Sequence, residues 1–91
     1  KMNYAQRRVA KTEPSENEGV GVSTCWVDDF QCYETAIIEK KGTHPVERYD
    51  DREEAKAGHK RWLAVAKVGR KVRPLEFLCY PQDEITIEAK E

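Results

Sequence analysis

The chain has 91 residues, 38% of them apolar and 36% charged, with 16 Lys and Arg against 17 Asp and Glu. This reads as one small domain with a modest core and a heavily charged surface, not as two domains. Ordering so charged a chain leaves a thin margin of stability, which self-association widens, so a homo-oligomer is expected.

Residues 1–18 are polar, and Glu13-Pro14-Ser15-Glu16-Asn17-Glu18 has the composition of a loop. They are expected to be flexible or, over Asn3 to Lys11, to form an edge strand. Residues 19–91 are expected to form a single α+β domain. From Gly19, Val20, Val22, Thr24 and Trp26 alternate with Gly21, Ser23 and Cys25, the period of a strand with one buried face. Asp28-Asp29-Phe30-Gln31 reads as a turn. Cys32 to Lys40 carries Tyr33 and Ile37 on one face and Cys32, Ala36 and Ile38 on the other, which suits a central strand. Lys41-Gly42-Thr43 is the next turn, and His44 to Tyr49 a third strand with Pro45 at its start.

The strongest local signal follows. Asp51 is an N-cap with Glu54 three residues on, the spacing of a capping box, so a helix begins at about Arg52. Ala55, His59, Trp62, Leu63 and Ala66 form one apolar stripe, and Gly69 ends the helix. A basic turn over Arg70 to Arg73 leads to strands at Leu75 to Tyr80 and Glu84 to Ala89. The expected architecture is α+β: a small antiparallel sheet of four or five strands with one main amphipathic helix packed on one face.

Charge is unevenly distributed. Between Ala55 and Leu75 there are seven bases and no acid, while the remainder carries a net charge of −8. Within the basic block Lys60, Arg61, Lys67, Arg70, Lys71 and Arg73 are candidate phosphate ligands, because several donors near a helix end can converge on an anion. Arg48 is a further candidate, and Trp26 and Tyr33 are candidate stacking surfaces. Against this stands the bland account of a solvated helix face that complements the helix dipole.

Other chemistries are disfavoured. The longest uncharged run, Gly19 to Val27, has nine residues, against the roughly 20 that span a bilayer, so no membrane partner is expected. Nothing resembles a secretory signal, and three cysteines, Cys25, Cys32 and Cys79, fit free thiols in a reducing compartment. No two of these cysteines, nor His44 and His59, have the spacing that presents paired metal ligands, so neither a metal nor another cofactor is expected. With two histidines, one of them on the helix's apolar stripe, no nucleophile has an evident base, and the chain is read as non-enzymatic. Asp28-Asp29 and Glu53-Glu54 are better explained as turn and cap than as an acid and a base. No phosphate-binding loop occurs. A net charge of −1 gives duplex nucleic acid little long-range attraction.

Val22-Ser23-Thr24-Cys25-Trp26, Glu34-Thr35-Ala36-Ile37 and the segment Arg48-Tyr49-Asp50-Asp51-Arg52-Glu53-Glu54-Ala55-Lys56-Ala57-Gly58-His59 together resemble a group of small proteins encoded by bacteriophages and prophages. Their pattern reads V-S-T-x-W, then E-T, then R-Y-x-T-x-E-E-A-x-x-G-H, and the order and spacing agree over about half of the chain. Asp51 stands where the pattern has Thr, and Asp28-Asp29-Phe30-Gln31 replaces a glycine-rich turn. The resemblance implies an accessory protein of the infected host's bacterial cytoplasm. The function then expected is anti-defence: sequestration of a phosphate-bearing nucleotide signal, cyclic or NAD-derived. The alternatives are direct inhibition of a host defence protein or nuclease, through the acidic surface around Asp50 to Glu54, and a minor part of the virion.

Overall fold

The computed structural model describes residues 3–14, 19–68, 70–75 and 82–87. In chain order these are α1 (Tyr4–Arg7), β1 (Arg8–Thr12), β2 (Gly21–Val27), β3 (Cys32–Glu39), β4 (Gly42–Tyr49), α2 (Arg52–Val68), β5 (Arg70–Val72) and β6 (Ile85–Ile87). β1 to β4 form an antiparallel sheet in sequence order, β5 and β6 a second, two-stranded one, and α2 packs on the large sheet. The fold is α+β, as the sequence indicates.

Several boundaries differ from the sequence reading, the first at the N-terminal side, where Tyr4–Arg7 is a short helix and the edge strand runs from Arg8 to Thr12 rather than from Asn3 to Lys11. Glu39 pairs with Gly42, so the turn is Lys40-Lys41, and β4 starts two residues before His44. Gly42 makes this possible at φ 142°, a backbone region open to glycine. Pro45 therefore sits inside β4, opposite Ala36, and is tolerated because β4 is the sheet's edge; its carbonyl accepts a bond from Leu75 N at 2.8 Å. The basic segment after the helix is not a turn. Arg70 to Val72 is a strand whose ladder runs opposite Ile85 to Ile87. The C-terminal strands thus do not extend the large sheet, whose fourth member is β1. Gly69 and most of the proposed strand Leu75 to Tyr80 lie outside the described residues.

The β2–β3 register, Val22 opposite Ile37, Thr24 opposite Thr35 and Trp26 opposite Tyr33, defines the face toward α2. On β4 one extra residue, Val46, is inserted where Thr35 pairs with Glu47 and Ala36 with Pro45. The bulge lets Val46 enter the core while Glu47 still reaches the helix, accepting from Trp62 Nε1 at 2.9 Å. Val20, Val22, Ile37, Val46, Ala66, Val72 and Ile87 form the apolar core, with Trp62 and Leu63 against it.

Nearer the start of α2 the interior is polar. Tyr49 donates to Thr35 Oγ1 at 2.9 Å, Thr35 lies 2.6 Å from Thr24 Oγ1, and Thr24 lies 2.8 Å from His59 Nδ1. With each hydroxyl giving its one proton onward, His59 Nδ1 accepts and Nε2–H points to Thr12 Oγ1, 3.3 Å away. No buried side-chain polar atom among the described residues lacks a partner. His59, on the apolar stripe of the helix, is bonded to no sheet carbonyl and no carboxylate among the described residues. The interior strands spend their carbonyls on the ladders, so hydroxyls supply the bonds instead. Thr24, Thr35, Tyr49 and His59 meet in this one network, and Gly58 lies close against the Tyr49 ring.

Candidate functional site

At the β1 edge of the large sheet lies a depression of about 250 Å³, lined by Arg7, Arg8, Lys11, Ser23, Cys25 and Trp26. The β1–β2 register builds it. Arg8 pairs with Cys25 and Lys11 with Ser23, so both bases stand on the face away from α2. One extra residue, Val9, lies between Arg8 and Ala10, the partner of Thr24, and this bulge keeps Arg8 and Lys11 on the same face although they are three apart. Arg7 joins them from the end of α1, and Trp26 from the end of β2.

Side chains of α2 hold this edge in place. Arg52 donates to the carbonyls of Gln6 at 3.1 Å and Arg8 at 2.9 Å, gripping the α1–β1 junction, while His59 meets Thr12 at the strand's far end. At the mouth, the carboxylate of Asp28 accepts Trp26 Nε1–H at 2.9 Å and pairs with Arg7. Trp26 also packs edge-on against Tyr33, with ring centroids 5.1 Å apart. Lys11 has a looser pair with Glu13 at 3.4 Å. Burial pushes the Cys25 thiol up, with Glu34 adding and Arg7 opposing, so a neutral thiol lines the depression.

The nine residues singled out from the sequence do not form one site. Lys60, Arg61 and Lys67 project from the exposed side of α2, and Lys71 is exposed on β5. Arg61 pairs with Glu47 at 3.1 Å, Arg73 donates to the Gln82 carbonyl at 2.9 Å, and Arg70 opens β5 opposite Ile87. Lys60, Lys67 and Lys71 have no ion-pair partner among the described residues. Arg48 lies on the same helix-free face but at the opposite edge, on β4, bonded to Glu34 at 2.9 Å, with its guanidinium 4.0 Å from the centre of the Phe30 ring. There it borders a second depression, of about 350 Å³, whose walls include Phe30, Pro45, Pro74 and Leu75. Only Trp26, with Tyr33 behind it, belongs to the basic depression.

Arg7, Arg8 and Lys11 are the residues sequence reasoning missed. Their segment has little apolar periodicity, and their grouping depends on a pairing with β2 that only the folded sheet makes. Among the described residues no three His, Cys, Asp or Glu side chains gather as a metal site, Cys25 and Cys32 are free thiols, and no helix is long and apolar enough to cross a membrane. Cys79 lies outside the described residues. Fold and site together define a small α+β protein with a basic, tryptophan-lined depression at a sheet edge. No protein-family model matches the sequence, and neither a curated protein nor a solved structure shows significant similarity to it.

Proposed function

We propose that this chain is a non-enzymatic binding protein that holds a phosphate-bearing nucleotide in the β1 depression and so sequesters a host signal. The resemblance to phage accessory proteins supplies the biological setting, the cytoplasm of an infected bacterium. One observation carries the reading: three basic residues and a tryptophan line one depression at the sheet edge, and its lining contains no acid. Cations supply charge and directed N–H donors for phosphate oxygens, and an aromatic ring suits the base. The basic block of α2 and β5 supports ligand binding less well, since its lysines stand on exposed surface.

A thermal-shift panel of nucleoside monophosphates, cyclic nucleotides and ADP-ribose derivatives tests this, with alkylation of Cys25 by iodoacetamide as a footprint. A ligand raises the melting temperature and slows modification of Cys25, and Arg8→Ala with Lys11→Ala abolishes both effects. No response to any member of the panel overturns the reading.

A second reading, direct inhibition of a host protein, draws on the acids at the start of α2. Asp50, Asp51, Glu53 and Glu54 are exposed and crowded, and Asp51 above all pushes the Glu54 carboxyl up. A salt-sensitive complex with a host nuclease, lost on Glu53→Gln with Glu54→Gln, favours this reading over nucleotide binding.

A further inference from the structure

We propose that Asp28 sets the ligand class of the β1 depression, selecting a terminal phosphate monoester over a phosphodiester; the inference rests on the reading that this depression binds phosphate. Two of the residues lining the depression, Arg7 and Trp26, are already bonded to one carboxylate, that of Asp28. The turn after β2 fixes this acid's position. Its carbonyl accepts Gln31 N at 3.2 Å and Gln31 Nε2 at 2.7 Å, and Gln31 adopts φ 50°. Asp28 thus occupies the place that a ligand anion needs at Arg7.

A phosphate oxygen reaching Arg7 has to displace that carboxylate. A phosphodiester carries one negative charge, so it replaces one charge with another and gains nothing at Arg7. A terminal monoester carries about −1.5 to −2 near neutral pH. Its excess charge meets Arg8 and Lys11, which stand on the same face of the sheet opposite Cys25 and Ser23. The exchange is a filter and not a barrier, because the Arg7–Asp28 pair is itself solvent-exposed, with side chains 31% and 46% accessible. Exposed pairs of this kind are worth about two- to fivefold in an equilibrium constant. The Lys11–Glu13 pair, longer at 3.4 Å and also exposed, is the easier to open.

The test compares 5′-AMP with 3′,5′-cyclic AMP, titrated against Trp26 fluorescence in a Trp62→Phe background. Protection of Cys25 from alkylation gives the same comparison in the unsubstituted chain. The expected result is about fivefold tighter binding of 5′-AMP. Asp28→Asn removes the competing charge yet keeps an acceptor for Trp26 Nε1–H, so it tightens both ligands, the cyclic nucleotide more, and narrows the ratio to about twofold or less. Equal affinities in the unsubstituted chain, or an unchanged ratio in Asp28→Asn, overturn the role of Asp28 while leaving the phosphate site standing. If neither nucleotide binds either form this inference falls, and the phosphate reading falls with it when the rest of the panel also gives no response.

Discussion

A methyl group on Gly58 would lie 2.1 Å from Tyr49 Oη and 2.3 and 2.4 Å from two carbons of its ring. In an open helix, Gly→Ala gains up to about 1 kcal/mol. Here the ring would have to move, and overpacking costs about 1–3 kcal/mol before the loss of the Tyr49–Thr35 bond is added. Gly58→Ala is therefore expected to lower stability by about 2 kcal/mol in urea unfolding. Tyr49→Phe does not rescue it, since the ring carbons stay where they clash. The Gly58-His59 spacing in the sequence signals a close approach at this point of the helix. That the neighbour is Tyr49 depends on how β4 folds under α2, which no local pattern encodes.

At the scale of elements, β1 is tied to the rest of the molecule by unusual means. Its sequence has weak strand character, and the Arg52 fork on the Gln6 and Arg8 carbonyls compensates. Arg52→Ala should speed amide hydrogen exchange across Arg8 to Thr12 by tenfold or more while costing about 1 kcal/mol of global stability, a local opening readable by exchange mass spectrometry. Exchange in β1 that matches the unsubstituted chain would remove the grip from the account. β5 teaches a related point. Lys71 is exposed and Val72 buried, the alternation of a strand, yet three residues are too few for a period to be recognised. β2, β3 and α2 were legible because each carries its own period over seven or more residues, and Asp51 confirms the helix start by accepting Glu54 N at 2.8 Å.

For the molecule as a whole, the polar seam through its interior makes stability depend on pH. Burial holds the His59 imidazole below its ordinary value of 6.5, while burial pushes the Tyr49 phenol up to about 12 and keeps it neutral. Because the unfolded chain takes up a proton at His59 before the folded one does, His59's contribution is complete above pH 6.5 and is lost as pH falls through the folded value below it. The melting temperature is expected to fall between about pH 7.5 and about pH 5.5, and His59→Gln, which can still accept from Thr24 and donate to Thr12, should flatten that slope. A slope unchanged by the substitution would assign the effect elsewhere. By itself the sequence determined the α+β class, the long amphipathic helix and its cap, the central strands and the split of charge into a basic and an acidic block, because all of these are written in near-neighbour periodicity and composition. Only the tertiary structure decided which charges meet. Arg7, Arg8 and Lys11 meet Trp26 through the pairing of β1 with β2, the bases of α2 stay dispersed on a solvated face, and four strands contribute hydroxyls to the hydrogen-bonded chain through His59. Such groupings are set by strand order, register and bulges, which join residues far apart in the chain and leave no local signature.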